Sequence, residues 1–186
     1  MKKILSAILA LCMIVSITAC SSENESSVKG SENKVMRDIT TQELIEDMGI
    51  GINLGNTFES CGNWINKSSV TNYETAWGSP VITEQMIKGY KDCGFGVMRL
   101  PVAWSNMMDK ETYTISPDYV ARVKEVLNWA LDSDLYVILN IHYDNGWFSD
   151  FADDKKRDEC FKKYEAIWKQ LCEEFLSLIH ISEPTR

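Results

Sequence analysis

Arg99 stands between Met98 and Leu100 in an otherwise apolar run. A guanidinium in such a place costs several kcal/mol to bury unless it is paired. Two kinds of chemistry answer that need: a structural ion pair, or an arginine that holds a catalytic carboxylate ionised and correctly aimed. Asn140 and His142 lie two residues apart in another apolar run, so on a strand both side chains leave the same face. Asn53 and Asn56 close a third such run. Trp77, Trp104 and Trp147 each follow or flank a run's end, where flat rings suit weakly charged ligands such as sugars, although a core uses the same rings. Four acids, Glu59, Glu74, Asp144 and Asp150, fall in loops near these residues. None sits in a strand-end setting that would tune its pKa, so all four are expected to be solvated.

The elements that must position these groups alternate. Thr40 to Glu43 forms a capping box for a short helix with Leu44, Ile45 and Met48 inward. Residues 50–56 read as a short strand ending in a tight loop, Thr83 caps a helix to about Asp92, and residues 95–102 form a second strand. Ser116, Pro117 and Asp118 start a helix by cap, first-turn proline and dipole. Its expected stripe is Val120, Val123, Leu127, Ala130 and Leu131. The near-continuous apolar run 135–141 predicts a parallel strand covered on both faces. Phe161, Tyr164, Trp168, Leu171 and Phe175 recur at helical spacing in the last helix.

Strand and helix in alternation imply a parallel sheet, in an open doubly wound or a closed barrel form. No G-x-G-x-x-G or P-loop follows a strand, which lowers the nucleotide-binding version. The strands turn polar at their C-terminal ends, the edge that carries the active site in parallel α/β folds.

The 186 residues hold 27 acidic against 19 basic side chains, a net charge of −8. An acidic surface repels polyphosphate, so nucleic acid is not expected as a partner, whereas neutral polysaccharide is compatible. Cys160 and Cys172 fall on one predicted helix, about 18 Å apart by helical rise, too far for a disulfide. Mostly free, buried thiols are expected, with a disulfide through Cys61 as the alternative. No metal spacing is present, and no cofactor is expected.

Lys2, Lys3 and the apolar run from Ile4 to Ile17 read as a secretory signal, shorter than the about 20 residues of a spanning helix. The run ends in Thr18-Ala19-Cys20, which resembles a lipobox, so residues 1–19 are expected to be a lipoprotein signal peptide and Cys20 the lipidated residue. Residues 20–36, rich in Ser, Glu and Asn, would be a flexible tether between membrane and domain. The last stretch, 176–186, resembles a translated adapter and is expected to be a non-native tail.

G-I-N-L-G-N-T (51–57), T-A-W-G-S-P (75–80), M-R-L-P-V-A-W (98–104) and V-I-L-N-I-H-Y-D (137–144) resemble successive landmarks of glycoside hydrolase family 5, above all its bacterial endoglucanases. The resemblance covers about residues 37–175. It implies a (β/α)8 TIM barrel, truncated to about its first three β/α units, and a retaining, endo-acting hydrolase of β-1,4-glucan such as cellulose. It implies two catalytic glutamates at the fourth and seventh strand ends, beyond these units, so the chain itself is expected to be inactive. Arg99 and His142 match the family's active-site support; Asn56, Trp77, Trp104, Tyr143 and Trp147 are the expected substrate contacts. His142-Tyr143 stands where the family commonly has two histidines. Glu183, in an Ile-Ser-Glu-Pro string that imitates the family's Asn-Glu-Pro, is not expected to be the acid. The alternatives are a surface carbohydrate-binding lipoprotein on a catalytically dead barrel, a family 5 mannanase or xyloglucanase, and a small complete α/β binding domain. The expected location is the extracellular face of a bacterial envelope.

Overall fold

The computed structural model describes residues 38–178; the signal segment, Cys20, the tether and Glu183 lie outside the described residues. Helix α1, Thr41–Met48, starts on the expected capping box: Glu43 N–H donates to Thr40 Oγ1 at 3.2 Å, and Thr40 N–H donates to the Glu43 carboxylate at 2.7 Å. Those bonds from Thr40, the backbone one foremost, hold the Glu43 carboxyl below its ordinary range. The inward stripe expected here is not observed. Ile45 is exposed and no residue of α1 is fully buried; the helix approaches Gly96 with its C-terminal end. At that end a Cβ on Gly96 would lie 2.2 Å from the Met48 carbonyl oxygen, so only glycine allows the approach.

Strands β1, Gly51–Asn53, β2, Val97–Val102, and β3, Tyr136–Ile141, form one parallel sheet in that order. β1 is short and gives way to a turn at Asn56, where φ is 57°, as the sequence predicts. The register aligns Asn53, Arg99 and Ile138 across the sheet. Helices α2 (Thr71–Thr75), α3 (Glu84–Asp92), α4 (Pro117–Asp132) and α5 (Arg157–Phe175) complete the order.

The helices cover one face. Met98, Leu100 and Val102 of β2 are fully buried with Ile87 of α3, Val123, Val126 and Ala130 of α4, and Ile167 of α5. The opposite face carries Arg99 and leaves Ile138 of β3 45% exposed. β3 is therefore covered on one side only, not on both. That open face is the wall that turns inward in a (β/α)8 barrel, and the fold is three consecutive β/α units of that barrel.

Two apolar stripes differ from expectation. In α4, Tyr119 and Val126 are buried while Val120 and Leu131 stay at the margin. Tyr119 enters the core because its hydroxyl finds an acceptor there, the Phe58 carbonyl at 2.8 Å. Ser116 precedes α4 without a side-chain cap bond, leaving Pro117 as the start signal. In α5 the buried residues are Cys160, Ile167, Leu171 and Phe175, whereas Phe161 and Tyr164 are exposed and pack with Phe148 and Phe151. Cys61, Cys93, Cys160 and Cys172 are all free thiols, but only Cys61 and Cys160 are buried.

Candidate active site

Arg99 leaves the open face of the central strand. Its Nη1 donates to Asn53 Oδ1 at 3.3 Å on one neighbour, and its Nη2 donates to His142 Nδ1 at 3.0 Å beyond the end of the other. An arginine is always a donor, so His142 Nδ1 must accept and the imidazole proton sits on Nε2. The loop start is fixed by His142 N–H, which donates to Val102 O at 2.9 Å. Among the described residues no carboxylate pairs with Arg99. Among the described residues the structural ion pair is thus not formed, and a cation held by two neutral acceptors lies beside a hollow of about 160 Å³ lined by Gly51, Ile52, Asn53, Val97 and Ile138. Such a group stabilises an anion brought to it. Asn140 adds a buried amide oxygen that has no partner among the described residues.

Asp144 follows on the same rim but is fully buried, not solvated. It accepts from Ser105 N–H at 3.0 Å, Ser105 Oγ–H at 2.5 Å and Trp147 Nε1–H at 2.7 Å. Burial pushes its carboxyl above the ordinary range, against the pull of these donors. The carboxylate thereby ties the loop after β2 to the loop after β3. Asp144 and Asn145 both adopt left-handed backbone, with φ of 49° and 61°.

The other loop acids also depart from expectation. Glu59 is buried and closes the turn after β1 by accepting from Asn56 N–H at 2.6 Å and Thr57 N–H at 3.0 Å. Glu74 is fully buried and takes both nitrogens of the Arg122 fork, at 2.8 and 3.0 Å, together with Ile82 N–H at 2.9 Å. Only Asp150 lies at the surface, 2.9 Å from Lys156. Glu74 stands on α2 and not in a loop, and none of these three acids is bonded to Arg99.

The expected sugar contacts separate. Tyr143 is 62% and Trp77 40% exposed, and Asn56 lies exposed at its turn. Trp104 has no exposed surface at all; it packs against Tyr119 and Phe175 in the core and cannot present a ring to a ligand. Trp147 is half-buried, stacked on Phe148 at 4.1 Å with Lys163 Nζ 4.4 Å over its ring. Ser105 and Asn106 escaped the sequence reading. Asn106 is buried and donates to Ser60 O at 2.8 Å, joining the loops after β1 and β2. Nothing in their local pattern marks either residue, since both partners lie about 40 positions or more away.

Comparison with known proteins agrees with this fold. The family model described as cellulase (glycosyl hydrolase family 5) matches residues 58–181. The chain is 39% identical over 147 residues to a xyloglucan-specific endo-β-1,4-glucanase of Bacteroides ovatus, covering 77% of this chain and 28% of the relative. It is 39% identical over 141 residues to endoglucanase A of Ruminococcus albus, covering 75% and 37%. Among solved structures, a broad-specificity GH5-4 endoglucanase from Ruminococcus champanellensis with bound cellotriose superposes with a TM-score of 0.69 at 37% identity, over 76% of this chain and 41% of that one. The chain thus spans well under half the length of these relatives.

Proposed function

Because the chain belongs to glycosyl hydrolase family 5, we propose that the whole protein is an endo-acting hydrolase of β-1,4-glucan that retains anomeric configuration. The observation that carries this reading is Arg99, held in the middle of β2 by Asn53 and His142 with no acid of its own among the described residues. Retention needs two carboxyls about 5–5.5 Å apart, one an acid/base and one a nucleophile. A nucleophile must stay ionised, and a guanidinium beside it lowers its pKa. His142, with its proton on Nε2, offers a neutral donor toward sugar or carboxylate. Turnover then requires two glutamates delivered to this rim by further barrel strands, and the described residues alone would be inactive.

The similarity to relatives named for endoglucanase activity and to a structure holding cellotriose supports β-glucan as substrate. The xyloglucan-specific relative supports a branched glucan as the second reading. The lipobox-like ending at Cys20 supports a lipid anchor on the extracellular face of the envelope, where an insoluble polymer is met. Reducing-sugar release from carboxymethylcellulose, xyloglucan and galactomannan by the full-length protein tests the proposal. Release from a β-glucan is expected. Release from mannan alone, or from none of the three, would overturn it.

A further inference from the structure

Trp64 is the most exposed aromatic residue on the rim, at 68%, yet the chain around it is firmly seated. Cys61 and Ile65 on either side are buried, Ile65 N–H donates to Gly62 O at 3.2 Å, and Ser60 O receives the Asn106 amide. An indole that the core does not need is thus displayed from a fixed loop. Its orientation has a visible cause. A Cβ on Gly62 would lie 2.5 Å from Trp64 Nε1, 3.0 Å from Cδ1 and 3.2 Å from Cε2, so the pyrrole half of the ring rests directly on the glycine.

The same device recurs in the loop after β3. Tyr143, exposed as well, has its hydroxyl, Cζ and Cε2 3.1–3.2 Å from where a Gly146 Cβ would stand. Gly146 has φ of 75° and donates its N–H to Tyr143 O at 2.7 Å. The two loops are tied together through the loop after β2, where Asn106 donates to Ser60 O at 2.8 Å and Ser105 N–H donates to Asp144 at 3.0 Å. Neither ring is buried by a neighbour, and both belong to loops at the rim that carries Arg99 and His142.

We propose that Trp64, seated on Gly62, is a stacking platform for a pyranose ring of the polysaccharide, with Tyr143 on Gly146 as its companion. This rests on the β-glucan hydrolase reading and adds the residue that grips the chain away from the bond being broken. An indole offers the C–H face of a pyranose a large apolar surface at little cost in ordering, because the loop is already fixed. Gly62 acts through Trp64 and is a positioning residue.

The test is affinity electrophoresis of the full-length protein in gels holding hydroxyethylcellulose, xyloglucan or galactomannan, run cold so that binding is read apart from turnover. Trp64→Ala and Gly62→Ala are each expected to bind roughly fivefold to tenfold more weakly, and Trp64→Phe within about twofold of the parent. In turnover assays Trp64→Ala should raise KM and leave kcat near the parent value. Parental retardation of Trp64→Ala, or of Gly62→Ala while Trp64→Ala is weakened, would overturn the platform or its seat. So would a parent retarded by no gel. Trp64-dependent retardation by galactomannan alone would leave the platform standing and sink the β-glucan reading.

Discussion

Arg99 Nη2 lies 3.0 Å from His142 Nδ1, a contact between a cation that can only donate and a ring nitrogen that must therefore accept. The contact joins the middle of β2 to the residue that follows β3. It fixes the tautomer of the imidazole as well as its position. Nitrogen-15 correlation spectra should show His142 protonated on Nε2 and bare on Nδ1, and Arg99→Lys should loosen that preference. A proton on Nδ1 in the parent would contradict the pairing.

Asp144 should set a pH dependence. Its folded pKa is raised by burial, so the stability that its neutral form contributes is full below the ordinary carboxylate value of 3.8 and is lost as pH rises through the folded value. Glu43 and Asp109, held low by hydrogen bonds, contribute with the opposite sign and cancel when parent and variant are compared. Asp144→Asn should therefore remove a downward slope in stability above pH 3.8. Asp144→Ala leaves Ser105 and Trp147 donors unpaired and should cost about 3 kcal/mol near neutrality. Chemical denaturation across pH checks both; an unchanged slope in Asp144→Asn would refute the assignment.

Glu74 and Arg122 clasp the segment before α3 to α4, and Arg122 Nη2 also donates to Ile82 O at 2.6 Å. Arg122→Ala strands a fully buried carboxylate and should destabilise by about 3–5 kcal/mol. Replacing both partners with apolar residues of like volume should recover much of that loss. A double variant no better than Arg122→Ala would show that the pair is not the clasp.

Trp104 and Trp77 should respond in opposite ways. Trp104→Ala opens a cavity beside Tyr119 and Phe175 and should cost about 3–5 kcal/mol. Trp104→Phe should cost far less, because the buried indole N–H has no partner to lose among the described residues. Trp77→Ala should stay within about 0.5 kcal/mol of the parent in stability, as surface changes do. Equal unfolding midpoints for Trp104→Ala and the parent would contradict its place in the core.

What the sequence disclosed was set by period and punctuation. The Thr40–Glu43 box, the Thr83 cap and Pro117 each act over three residues, so they can be read locally, and the structure shows all three starts. Arg99 announced itself as a polar residue within an apolar strand, and His142 as one directly after another. Trp104 misled because position at a strand end does not say which way a ring turns; β2 ends at Val102, and Trp104, which opens the short turn that follows, packs against Tyr119 and Phe175. Asp144 and Glu74 misled because their partners, Ser105 and Arg122, stand 39 and 48 positions away. Tyr119 and Phe161 exchanged places with expectation, since a hydroxyl with an acceptor buries well and a phenyl ring beside other exposed rings need not be buried.

The most direct measurement is the anomer first released when the full-length protein cleaves a cello-oligosaccharide, followed by proton NMR before mutarotation. A guanidinium awaiting a nucleophilic carboxylate predicts the β anomer at the outset, and Arg99→Lys should slow its appearance at least tenfold, about 1.4 kcal/mol. Initial release of the α anomer, or a rate indifferent to Arg99, would contradict the account.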